Sequence, residues 1–112
     1  MPGHPDPDRL LERLRPMRPP LVPEIAINAA FSGSGLARLT TKPPYWAFPW
    51  PGGCLLARYL LDNSDAAAGR CALDLGSGCG IVAIAAARAG AAVTAIDLDP
   101  LAGTAITANA AM

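Results

Sequence analysis

A chain of 112 residues makes at most one domain, and its 52% hydrophobic and 16% charged content excludes a disordered segment and fits a globular α/β one. Nine acidic residues balance nine basic ones, so bulk charge nominates neither a nucleic acid nor a membrane surface as partner. Three cysteines, Cys54, Cys71 and Cys79, form no CxxC pair and leave an odd count, which argues against a disulfide framework or a zinc knuckle.

The amino terminus holds no apolar run long enough for a signal peptide or a membrane span, since prolines interrupt every candidate between Met1 and Pro23. Arg9, Arg13, Arg15 and Arg18 suggest a mitochondrial presequence, but the interleaved Asp6, Asp8 and Glu12 oppose it, and the expected address is the cytoplasm. Asp8–Arg15 reads as a short amphipathic helix with Leu10, Leu11 and Leu14 on one face, stopped before Pro16. Pro19, Pro20 and Pro23 then break regular structure, Glu24–Phe31 reads as a strand or a helical turn, and Ser32–Gly35 as a flexible loop.

Composition changes near Pro51, from a proline-rich segment (residues 1–50) to one rich in alanine, glycine and aliphatics (residues 51–112). Gly52–Leu61 carries Leu55, Leu56, Tyr59 and Leu60 at helical spacing, a face expected to pack on a sheet. Asp62–Asp65 is a polar turn, and Arg70–Leu75 is a strand running into glycines. Ile81–Ala89 is a helix closed by Gly90, Ala91–Ile96 a second strand, and Pro100 opens a last helix capped by Asp99. Strand, crossover helix and strand at this spacing predict a parallel βαβ unit, the start of a Rossmann-like doubly wound α/β sheet, here truncated after the second strand and its following helix.

The stretch Asp74-Leu75-Gly76-Ser77-Gly78-Cys79-Gly80 lies where a buried strand meets a helix, the place where open α/β sheets bind ligands. A dinucleotide fingerprint needs its third glycine at position 81, which is Ile81, and no Gly-Lys-Ser or Gly-Lys-Thr follows for a phosphate loop. Asp74 would repel a pyrophosphate and attract a cation. Asp97 closes the second strand about twenty residues past the first glycine, the separation that suits hydrogen bonding to ribose hydroxyls. These residues point to an adenosine ligand, and the glycine spacing with Asp74 favours S-adenosyl-L-methionine over NAD. Cys79 reads as a helix-start residue, and His4, the only histidine, as part of a mobile tail without a catalytic role. Trp46, Tyr45 and Phe48 read as buried or loop-anchoring aromatics.

The same glycine-rich stretch resembles motif I of the class I, seven-β-strand methyltransferases. Pro44-Tyr45-Trp46-Ala47-Phe48-Pro49-Trp50-Pro51-Gly52-Gly53, Leu56–Asn63, Ala95–Pro100 and Ala105–Asn109 are similar to the electron transfer flavoprotein β-subunit lysine methyltransferase group, a likeness over roughly residues 40–112. The resemblance implies that Gly76 and Gly78 line the methionine part of the cofactor, that Asp97 binds the ribose, and that Trp50 contacts the cofactor. Asp74, Ser77 and Leu98 complete the implied cofactor-binding set. It implies methyl transfer to a protein lysine, while the balanced charge gives no reason to expect a nucleic-acid or membrane partner. Cys54 departs from the glutamine expected after the paired glycines.

No catalytic residue can be named, because the family's loop after the fourth strand has no counterpart before Met112. The chain therefore reads as the front of a longer enzyme, and its open sheet edges predict marginal stability in isolation. An NAD-dependent oxidoreductase, a non-catalytic binding module, and a methyltransferase for ribosomal protein or small-molecule amines are the competing readings.

Overall fold

The computed structural model describes residues 6–112, so the reading of His4 falls outside the described residues. In chain order the elements are α1 (Pro7–Leu11), β1 (Leu14–Met17), β2 (Ile27–Ala30), α2 (Pro51–Asp62), β3 (Cys71–Leu75), α3 (Ile81–Arg88), β4 (Ala92–Ile96) and α4 (Pro100–Ala110). Short 3-10 turns lie at Leu36–Arg38, Tyr45–Ala47 and Ser64–Ala66. β3 and β4 pair in parallel, from Cys71 opposite Ala92 to Leu75 opposite Ile96, with α3 as the crossover. This is the expected Rossmann-like α/β unit. Asp99 caps α4, its Oδ1 accepting the Leu101 amide at 3.0 Å, and Pro100 takes the first helical position, where its missing N–H costs nothing.

The helix expected over Asp8–Arg15 is a correction: it ends at Leu11, because Leu14–Met17 is drawn into an antiparallel pair with Ile27–Ala30. Pro16 fits this strand because β1 is paired on one side only. The segment that read as strand or helical turn is β2.

A second correction concerns α2. Of the expected stripe, Leu55, Leu56 and Tyr59 are 62%, 49% and 54% exposed, while Cys54 and Ala57 are buried. The helix packs chiefly on α3 rather than on the strands, through Cys54 and Ala57, with Leu60 of the expected stripe and Leu61 partly buried against the same cluster. A Cβ at Gly53 would stand 3.4 Å from Ile81 and 3.6 Å from Val82. Small side chains at this contact let the two helices approach closely.

Both buried clusters draw on residues from either side of Pro51. Val22, Ile25 and Ile27 join Cys54, Ala57 and Ile81 between the amino-terminal segment and the α2–α3 pair. Leu10, Leu14 and Trp46 join Ala102 and Ala105 on α4. Polar contacts reinforce the first junction: the Arg58 guanidinium grips the Glu24 carboxylate with two bonds of 2.9 and 2.7 Å and reaches Asp62 at 2.8 Å, and Arg88 donates to the Glu24 carbonyl at 2.7 Å. The second junction has the indole of Trp46, 1% exposed, donating through Nε1 to Asp99 Oδ2 at 3.1 Å. Along the sheet, Leu73, Leu75 and Ile96 alternate outward and remain 62%, 77% and 45% exposed.

Two outcomes follow from these junctions. Hydrogen bonding from Arg58 holds the Glu24 carboxyl below its ordinary value of 4.5. A carboxyl lowered by folding stabilises the protein above its unfolded pKa, and that contribution is lost as pH falls through the folded value. Thermal melts should therefore show a falling Tm below about pH 5, and a smaller fall for Glu24→Gln, which has no carboxyl to titrate. Trp46→Phe keeps the ring but removes the donor to Asp99, and urea unfolding should show a loss of about 1.5–3 kcal/mol, the range for a hydrogen bond to a charged group.

Candidate functional site

β3 and β4 end in register, Leu75 opposite Ile96, so the residues that follow each strand emerge at one edge of the sheet. Past Leu75 the chain turns sharply, with the Gly76 and Ser77 amides both donating to the Ile96 carbonyl, at 2.8 and 2.9 Å. The Gly80 amide closes the turn on the Ser77 carbonyl at 2.9 Å. Between them the Gly78 amide donates to Asp97 Oδ2 at 2.8 Å, while Asp97 Oδ1 accepts the Asp99 amide at 2.9 Å. Asp97 thus ties the glycine loop to the turn after β4. Each of its oxygens accepts one hydrogen here, and a carboxylate oxygen has capacity for a second, so two acceptor positions remain for a pair of hydroxyls.

Asp74 sits at the carboxyl end of β3, and Ser77, 8% exposed, donates its hydroxyl to Asp74 Oδ2 at 2.7 Å. Ser77 would therefore act on a ligand through the carboxylate it orients. Gly76, Gly78 and Gly80 all adopt positive φ, at 71°, 58° and 84°. Their surroundings differ: a Cβ at Gly76 or Gly78 would meet nothing within 4 Å, whereas at Gly80 it would meet Ile106 of α4 at 3.1 Å. Gly76 and Gly78 border open space that a ligand can enter, and Gly80 is where α4 packs on the loop.

The loop's own hydrogen bonding also bears on ligand charge. The amides of Gly76, Ser77, Gly78 and Gly80 donate within the protein, which removes donors that a pyrophosphate cradle would use. Two carboxylates, Asp74 and Asp97, flank the loop, and their field favours a cationic or hydroxyl-rich ligand over a polyanion.

Leu98 lies beside Asp97 and is 98% exposed. Trp50 stands apart. It caps the amino terminus of α2, its Nε1 donates to the Tyr45 carbonyl at 2.8 Å, and its ring tilts against Tyr45 and Phe48 at centroid distances of 5.9 and 5.5 Å. Because the first turns of α2 and α3 touch at Gly53, this aromatic group occupies the glycine-loop end of the helix pair. Of the candidate residues, the fold brings Asp74, Gly76, Ser77, Gly78 and Asp97 into one hydrogen-bonded unit, with Leu98 adjoining it.

Trp46 is buried, as its sequence context suggested, while Tyr45 and Phe48 are exposed at 65% and 38% and anchor the loop around Trp50 instead. Burial pushes the Cys79 thiol up to about 11 and raises the Cys54 thiol as well, so neither is a nucleophile at neutral pH. Among the described residues no group of three or more His, Cys, Asp or Glu is placed to hold a metal ion. No helix of the described residues is long and apolar enough to cross a membrane.

Sequence reasoning missed Asn109 as a site residue. Its Nδ2 donates to the Cys79 carbonyl inside the glycine loop at 2.7 Å. The signal was present: Ala102, Ala105 and Asn109 form the buried stripe of α4, and a polar residue on such a stripe needs a partner.

Comparison with known proteins matches residues 53–112 to the family described as ribosomal protein L11 methyltransferase (PrmA). The chain is similar to the electron transfer flavoprotein beta subunit lysine methyltransferase of Homo sapiens, 61% identical over 67 residues that cover 59% of this chain and 26% of that protein. The Xenopus laevis protein of the same name is 43% identical over 108 residues, covering 89% of this chain and 43% of the relative. A Caenorhabditis elegans homolog is 40% identical over 85 residues, 70% of this chain and 35% of its own length. The chain thus spans about a quarter of the length of the human relative it matches.

The contrast among the glycines is measurable. Gly80→Ala combines left-handed backbone strain of about 1–2 kcal/mol with overpacking against Ile106 of about 1–3 kcal/mol. Gly78→Ala carries the backbone strain alone. Urea denaturation of the two variants should rank Gly80→Ala as clearly the less stable.

Proposed function

This chain belongs to the ribosomal protein L11 methyltransferase (PrmA) family, and on that premise we propose that it carries the S-adenosyl-L-methionine-binding end of a protein-lysine N-methyltransferase. The observation that carries the reading is Asp97, held by two amides beside the open space at Gly76 and Gly78. Its remaining acceptor positions suit the two ribose hydroxyls. Gly76 and Gly78 let the methionine part lie close to the backbone, and Asp74, oriented by Ser77, faces its cationic groups. Leu98 offers an apolar surface to the purine next to the ribose, and Trp50 a ring face from the neighbouring helix start.

When bound, S-adenosyl-L-methionine supplies an electrophilic sulfonium methyl for transfer to an amine. The protein's part at this end is to bind and orient, which is the larger share of catalysis when two reactants must be brought into line. The lysine ε-amine of a protein is the proposed acceptor, supported by the names of the relatives.

Calorimetric titration with S-adenosylhomocysteine and with NADH checks the cofactor. S-adenosylhomocysteine should bind the tighter, and a preference for NADH would overturn the assignment. Asp97→Ala should weaken S-adenosylhomocysteine about tenfold or more, since hydrogen bonds to a charged group are lost. Unchanged affinity would mean that the ribose binds elsewhere.

A further inference from the structure

Asn109 lies in the last turn of α4, 3% exposed, on a helix face whose other buried residues are Ala102 and Ala105. Its amide is used in two directions. Oδ1 accepts the Asn28 backbone amide at 2.8 Å and the Asn28 side-chain Nδ2 at 3.1 Å, and Nδ2 donates to the Cys79 carbonyl at 2.7 Å. One side chain therefore links β2, α4 and the glycine loop.

The place where it touches the loop is telling. The Gly78 amide, one residue before Cys79, is held by Asp97, and Gly80, one residue after, packs against Ile106 of α4. Asp97 fixes the peptide plane entering Gly78, and Asn109 fixes the plane leaving Cys79. The peptide between them is clamped from both ends. An alanine at position 109 would continue the apolar stripe and need no partners. A buried amide is costly unless both its ends are matched, so its presence here serves the geometry of what it holds.

We propose that Asn109 is a positioning residue for the cofactor loop: it sets the Cys79 carbonyl and so aims Gly78 at the ligand. The inference rests on the reading of this loop as the S-adenosyl-L-methionine site. Packing of the amino-terminal hairpin, which uses the other end of the same amide, is a separate duty of the residue.

The two duties can be separated with the full chain. Asn109→Asp keeps the shape and the acceptor for Asn28 but sets a carboxylate oxygen against the Cys79 carbonyl. Protonation restores a donor there. Relative to wild type at the same pH, this variant should bind S-adenosylhomocysteine about tenfold more weakly at the alkaline end of its stable range, where the carboxyl is ionised. It should recover toward wild type as falling pH protonates the carboxyl, at a pH raised above the free carboxyl range by burial. Asn28→Ala removes only the hairpin-side bond from Nδ2. It should lower Tm while leaving affinity within about twofold.

Wild-type affinity in folded Asn109→Asp, a defect in it independent of pH, or a loss of affinity in Asn28→Ala that tracks its loss of stability would overturn the positioning role. Absence of binding by wild type would overturn the reading of the site itself. Should Asn109→Asp not fold, Asn109→Ala, which adds no charge, takes its place, and the same tenfold loss beside unchanged affinity in Asn28→Ala is the expected result.

Discussion

Two amide hydrogens, from Gly76 and Ser77, converge on the carbonyl of Ile96, and the chemistry at this sheet edge depends on that junction. It extends the β3–β4 pairing past its last register pair and makes the chain leave β3 by a sharp turn rather than run on as strand. The turn demands a positive φ at Gly76, which a side chain would resist. It also carries Gly78 to where Asp97 can accept its amide hydrogen. A loop joined only through its covalent ends would have to be ordered by the ligand, at the ligand's expense in affinity. Here much of that ordering is done by β4 before anything binds.

The proline-rich segment is joined to this core by a different kind of contact. Prolines lack the N–H that a long ladder requires, so β1 and β2 form a pair of only four residues each, and the remaining attachment runs through side chains. Arg58 and Arg88 hold the Glu24 region, Trp46 reaches Asp99, and Asn109 reaches Asn28. Asp99 is doubly used, as the cap of α4 and as the acceptor for the indole, so the start of that helix and the burial of Trp46 support one another.

What the amino-acid sequence disclosed, and what it withheld, follows the range of the forces involved. The βαβ unit was legible because its signals are local: an apolar strand, a glycine turn, an alanine-rich helix, then Asp99-Pro100 as cap and first position. The turn toward Asp97 was legible through spacing. α1 was overestimated because Leu10 and Leu14 satisfy helical periodicity, yet Leu14 belongs to a strand and pairs with Ala30, 16 residues on. The inward face of α2 was not legible because the helix turns Gly53, Cys54 and Ala57 toward the α3 contact, and nothing local reports how close two helices will come. Asn109 follows Ala102 and Ala105 at the spacing of one helical face, and that spacing is the only local sign of its burial, since its partners lie far off in the chain.

The bond between Asn28 and Asn109 joins residues 81 positions apart. On a ribosome adding about 5–20 residues per second, β2 is made about 4–16 s before the helix end that accepts its amide. For the early part of that interval Val22, Ile25 and Ile27, which end up buried, have neither α2 nor α3 to cover them. A segment rich in proline is well suited to such a wait, because it resists the strand-to-strand association that an exposed apolar stretch invites. The composition of the first fifty residues then has a meaning in time as well as in space: it keeps early-made chain from pairing with the wrong neighbour until its own arrives.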